Sequence, residues 1–124
     1  MIDVVFKKEN EKLVSYAIKG HADRKASEAD RCLENYDEET GMVYDDAVCS
    51  AVSLLGQVCI LGIEDILHIK VKYLTEEGHI GLNLENLSLD DLKSTQVLMK
   101  TTLLGFKNLA ESYSSYIKVS VEEV

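Results

Sequence analysis

Apolar and polar residues alternate along residues 2–6 (IDVVF) and 13–19 (LVSYAIK), the two-residue period of a strand with one buried face. The polar stretch KKENEK between them reads as a turn, so the two form a hairpin. Within the second strand, Val14, Tyr16 and Ile18 point one way, and Leu13, Ser15, Ala17 and Lys19 the other. Residues 46–67 are apolar on nearly every side and predict a long, central, buried helix. Asp45 or Asp46 caps it or occupies its first turn, and Gly56 and Gly62 let another element approach closely. Alternation returns at residues 69–74 (IKVKYL) and 80–84 (IGLNL), a second hairpin turning at TEEGH. Ser88 with Asp91 has the spacing of a capping box, and Leu87 with Leu92 that of a hydrophobic staple. The apolar spacing that follows predicts a second long helix to about residue 114. YIKVSVEEV closes the chain as a last strand. The order β-β-α-β-β-α-β predicts a single α+β domain over residues 1–124, a mostly antiparallel sheet with both helices on one face.

One stretch breaks the pattern. Residues 23–46 show almost no apolar periodicity and offer at most a short helix around residues 25–35. They carry nine acidic and three basic side chains, most of the chain's net charge of −9. A loop of that length in a small domain is commonly functional or mobile, and here it is expected to be a long acidic mobile loop.

Charge and cysteine content then narrow the chemistry. A strongly acidic chain gives no support for nucleic-acid binding and suits a basic partner. No signal pattern or membrane-length apolar run is evident, so neither export nor a membrane partner is expected. Cys32, Cys49 and Cys59 are odd in number, which argues for free thiols in a reducing, cytoplasmic setting. There is no CxxC pair, and His21, Cys49 and Asp46 do not have the spacing of a zinc site, so no metal and no cofactor is expected.

Two residues stand out by position. Cys49 falls at the start of the long helix, where unpaired N–H groups and the helix dipole favour a thiolate. Cys59 lies deep in the apolar helix and Cys32 among acids, so both read as ordinary thiols. His21 follows Gly20 at a strand end, from which its imidazole can reach over the end of a sheet toward a helix N-terminus. A Cys and a His distant in sequence and close in space form the pair that activates a thiol. His68 and His79 read as the end of a helix and part of a turn.

GHA at residues 20–22 followed by DAVCSAVS at residues 46–53 resembles the ribosomal-processing cysteine protease family, Prp. The resemblance runs over nearly the whole chain. It implies His21 as general base and Cys49 as nucleophile, with Gly20, Asp46 and Ser53 in supporting positions. It also implies removal of the N-terminal extension of a basic ribosomal protein precursor, number twenty-seven of the bacterial large subunit, by a cytoplasmic homodimer. Whether Asp46 orients His21 or only caps the helix stays open. Two departures accompany it: Tyr44 replaces the family's glycine, and 28 positions separate His21 from Cys49, more than the family's spacing. The additional residues fall in the acidic stretch, which then reads as a lid that attracts a basic substrate. The competing reading is a non-catalytic ribosome-associated or assembly module on the same fold.

Overall fold

The computed structural model describes residues 1–124. Strands β1 (Ile2–Glu9) and β2 (Lys12–Gly20) form the expected hairpin, longer than the alternation alone suggested. Its turn is only Asn10 and Glu11, both at positive φ, the left-handed pair that matches the twist of a tight hairpin. Val14, Tyr16 and Ile18 are buried, as their alternation requires. Leu13 is buried as well, because the β1–β2 register slips between Lys7 and Lys8. Buried Gln96 satisfies the backbone there: Leu13 N–H donates to its Oε1 at 2.8 Å, and its Nε2 donates to Leu13 O at 2.9 Å.

Three short strands follow, β3 (Asp23–Lys25), β4 (Tyr36–Asp37) and β5 (Met42–Tyr44), with a 3-10 helix at Glu28–Cys32. The stretch that lacks periodicity is therefore folded as its own three-stranded sheet, ordered β3-β5-β4. Strands of two or three residues are too short to show a period. Their stability comes instead from Val43, fully buried, and from the Arg24–Asp30 ion pair at 2.6 Å. That pair and two bonds from Ser27 hold the Asp30 carboxyl well below the usual carboxylate range.

Helix α1 spans Asp46–Leu61 and continues through one π-helical turn at Gly62–Ile66. The span is long and apolar enough to cross a membrane by length and composition, but here it lies on a sheet. It is not the central, fully buried helix its composition suggests. Val48, Val52, Gly56, Cys59 and Ile60 face inward, while Leu54, Val58 and Leu61 are exposed. Composition gives hydrophobicity without direction; the fold supplies only one covered side.

The second hairpin is β6 (Lys72–Glu76) and β7 (His79–Asn83), turning on Glu77 and Gly78. It starts later than the IKVKYL alternation suggested. Ile69 N–H donates to Ile63 O at 3.1 Å, and Ile69 and Val71 pack on the core instead of joining the strand. Helix α2 (Leu89–Ser112) begins at Ser88, whose side chain accepts from Asp91 N–H, and β8 (Ile117–Glu123) pairs parallel to β1. The five-stranded sheet runs β6-β7-β2-β1-β8 and is antiparallel apart from that last pair.

The core fills the space between the sheet and the two helices, with the Phe6 ring tilted against Tyr16 and edge-on to Phe106. Burying such a side chain stabilises by roughly 1.5–3 kcal/mol. Close approach is set by glycine. A Cβ on Gly56 would lie 2.6 Å from Ile18 Cδ1, so α1 rides directly on β2 and β7. Tyr16 Oη then donates to Gly56 O at 2.6 Å and fixes the helix along the sheet.

Candidate active site

The end of β2 and the start of α1 are tied together through one residue. Ala22 is fully buried; its carbonyl accepts from Asp45 N–H at 2.8 Å, and its own N–H donates to Cys49 Sγ at 3.1 Å. The helix cap is Asp45: its carboxylate accepts from Val48 N–H and its carbonyl from Cys49 N–H, each at 3.1 Å. That settles which acid caps the helix. Asp46, one residue on, is exposed and free to face the pocket.

His21 is held by glycines on both sides of the sheet end. Gly20 adopts φ +103°, a conformation few side-chain-bearing residues take, and a Cβ there would meet Met1 O at 2.3 Å. Its N–H donates to Gly78 O at 3.0 Å, pinning the end of β2 to the β6–β7 turn. A Cβ on Gly78 would lie 3.1 Å from His21 Nε2, so the imidazole rests on that bare backbone. The Met1 ammonium donates to the Asp23 carboxylate and to Asp23 O. Burial lowers its pKa, while the charges of Asp3 and Cys49 raise it.

These elements enclose a pocket of about 430 Å³. His21, Cys49, Gly20, Asp46 and Ser53 all line it, so the five candidates from two distant sequence motifs converge. Cys49 is half-buried there, in the early turns of α1, and its sulfur accepts the Ala22 N–H. No hydrogen bond joins His21 to Cys49 in this state. Cys32 is exposed at the end of the 3-10 helix, its thiol donating to Ala29 O. Cys59 is buried against Met99 and Tyr16, and burial pushes its thiol pKa up, away from reactivity.

The family model for cysteine protease Prp matches residues 1–118. The chain belongs to the Prp cysteine protease family. SMU.848 from Streptococcus mutans superposes on it with a TM-score of 0.75 at 24% identity, over 100% of this chain and 96% of that one. The ribosomal processing protease Prp of S. aureus, solved with a covalently linked product peptide, gives 0.69 at 18% identity over 98% and 100%. The same S. aureus protein with a substrate peptide gives 0.71 at 16% identity over 98% and 100%. No curated protein matches the chain. As a Prp-family cysteine protease, the molecule needs an accessible thiol beside a base. The pocket at the end of the large sheet holds a cysteine and a histidine together.

Three participants were not legible beforehand. Ala22 acts through its backbone, which no side-chain pattern reports. Gly78 is a turn glycine in sequence and the seat of His21 in space. Gln57 lines the pocket two turns beyond Cys49; a lone amide in an apolar helix was the available signal.

Proposed function

We propose that Cys49 is the nucleophile and His21 the general base of a peptide hydrolase. Its substrate in this reading is the N-terminal extension of a large-subunit ribosomal protein, number twenty-seven, met in the cytoplasm. The observation that carries this is the Ala22 N–H on Cys49 Sγ within the pocket that also holds His21.

In this mechanism His21 takes the Cys49 proton and the thiolate adds to the scissile carbonyl. The apo state lacks a His21–Cys49 bond, and such bonds commonly tighten only once substrate is seated. The N–H groups of Val48 and Cys49 at the start of α1 are already taken by Asp45. The Ala22 N–H is the donor nearest the reacting sulfur. Once that sulfur is bonded to carbon, the N–H is available to the adjacent oxyanion. Protonated His21 returns its proton to the leaving amine as the C–N bond breaks. Water, deprotonated by His21, then releases the acyl group from sulfur. In this reading Asp46, which lines the same pocket and does not cap the helix, orients His21 in the charged state.

Charge supports a basic substrate: residues 23–46, between His21 and Cys49 in the chain, carry most of the net negative charge, and Asp46, Glu76 and Glu77 line the pocket itself. In this reading the small sheet acts as a movable cover that draws the precursor in, and the cleavage rate falls as salt is added. A homodimer is part of the same reading. Leu54, Val58 and Leu61 on α1 and Val97 and Leu104 on α2 are exposed, Leu54 at 64% and Val97 at 76%. The helices interlock with Leu98 on Gly62 and Leu55 on Gly105, so these side chains flank one apolar outer surface that a second copy would cover.

The test is a peptide spanning the precursor's extension, followed by mass spectrometry, beside Cys49→Ser and His21→Ala. One cut, lost in both variants, is the expected result; a cut that survives Cys49→Ser refutes the assignment. Sedimentation of the protein and of Leu54→Asp tests the dimer: a dimer that dissociates in the variant is expected, and a monomer in both overturns it.

A further inference from the structure

Strand β6 is the outermost strand of the large sheet, and all five of its residues are exposed. Which of its backbone groups are free follows from the register. Gly20 N–H bonds to Gly78 O and Leu84 N–H to Val14 O, so the even-numbered residues of β7 turn their polar groups toward β2. The odd-numbered ones, His79, Gly81 and Asn83, therefore bond to Glu76, Leu74 and Lys72 of β6. Tyr73 and Thr75 remain, and their N–H and C=O groups point to the open edge.

Thr75 lies opposite Ile80, whose side chain is buried beneath α1, and Thr75 itself lines the active-site pocket. The facing wall is α1. Its pocket residues Asp46, Cys49, Ser53 and Gln57 recur at helical spacing and form one polar stripe beside Val52. A Cβ on Gly56 would lie 3.5 Å from Ile80 Cγ2, which brings Gln57, the next residue, close above the strand. Gln57 is exposed and lines the pocket. Eight positions separate it from Cys49, roughly 12 Å along a helix. An extended peptide covers that distance in roughly three to four residues.

We propose that Gln57 and the free backbone edge of Thr75 form an outer subsite that grips the main chain of an extended substrate. The contact falls three to four residues from the scissile bond. The peptide adds as a further strand beside β6 at Thr75, and the Gln57 carboxamide bonds to its backbone from the helix side. Recognition there is of peptide backbone, with little dependence on side-chain identity. This rests on Cys49 being the nucleophile, which fixes the origin from which the subsite is counted.

The experiment uses Thr75→Pro and Gln57→Leu. Proline at 75 removes an N–H that the β6–β7 ladder does not use, as edge strands tolerate. In each variant KM for a peptide with six residues on either side of the scissile bond should rise roughly fivefold to tenfold, the loss of about one hydrogen bond. The penalty should shrink below twofold on a peptide with two residues on either side. From the ligand side, N-methylation of the long peptide three or four residues from the scissile bond should reproduce the Thr75→Pro effect with no change to the protein. Equal KM for the variants and wild type, with N-methylation neutral, overturns the proposal. A penalty that persists in full on the short peptide also overturns it, since the effect would then lie at the catalytic centre. Binding of the long peptide to Cys49→Ser, read by fluorescence anisotropy, separates this from the protease reading. If wild-type protein cuts nothing but both substitutions weaken binding in the Cys49→Ser background, the backbone contact at Gln57 and Thr75 stands, while the nucleophile assignment and the count from the scissile bond fall.

Discussion

The two halves of α1 hold one cysteine each and give them opposite lives. Cys49, in the second turn, opens into the pocket, sits near the positive helix end and receives the Ala22 N–H on its sulfur. Cys59, ten residues along the same helix, is sealed against Met99 and Tyr16, and burial pushes its pKa up. Residue type and helix are shared. The difference comes from what the sheet presents beneath: at one end a strand terminus with polar backbone groups, at the other the aromatic core. A thiol becomes a nucleophile through where the fold exposes it to N–H groups and a base.

The sharpest way to break this contrast is to remove each sulfur. Cys49→Ala should abolish peptide cleavage while the melting temperature stays within a few degrees; residual turnover above background contradicts the account. Next in size, Gly78→Ala places a Cβ where His21 rests and strains a left-handed backbone. Displacing a catalytic group by about 1 Å costs on the order of a hundredfold in rate, which steady-state kinetics would read. Cys59→Ser should leave cleavage intact and cost about 1–3 kcal/mol in urea unfolding, by placing a hydroxyl in an apolar site.

A smaller effect concerns pH in the sealed half. Burial raises the pKa of both Tyr16 and Cys59 in the folded state. Groups of this kind hold the folded state to their neutral forms, so their contribution is complete below their unfolded pKa values. It is lost as pH rises past about 8.5 for the thiol and about 10 for the phenol, up toward the raised folded values. Melting temperature should therefore fall above pH 9. Tyr16→Phe should cost about 1 kcal/mol at neutral pH, from its bond to Gly56 O, and flatten the decline above pH 10. An unchanged alkaline slope in the variant would remove Tyr16 from that explanation.

The same contrast explains what could be read in advance. Buried, regular segments announced themselves: β2 placed Val14, Tyr16 and Ile18 inward by alternation, and Ser88 started α2 by its cap. Cys49 and His21 were legible as chemistry because their neighbours form recognisable motifs, and the pocket brings those motifs together with Gly20, Asp46 and Ser53. The small sheet was not legible, because strands of two or three residues have no period and Val43 alone is fully buried in them. Nor was the exposed side of α1, since a uniformly apolar helix does not say which face finds a partner. Roles carried by backbone, at Ala22, Gly78 and Thr75, follow from register, which pairs residues far apart in the chain.

Environment, and not access, is what should make Cys49 the reactive thiol, and one measurement separates the two. Treat the folded protein with a small amount of iodoacetamide at pH 7 and read alkylation of each cysteine by peptide mass spectrometry over time. Cys32 is the most exposed of the three and Cys49 only half-buried. Cys49 should be modified well before Cys32, with Cys59 last, and His21→Ala should slow Cys49 alone. Cys32 reacting first, with Cys49 no faster than Cys59, would contradict it.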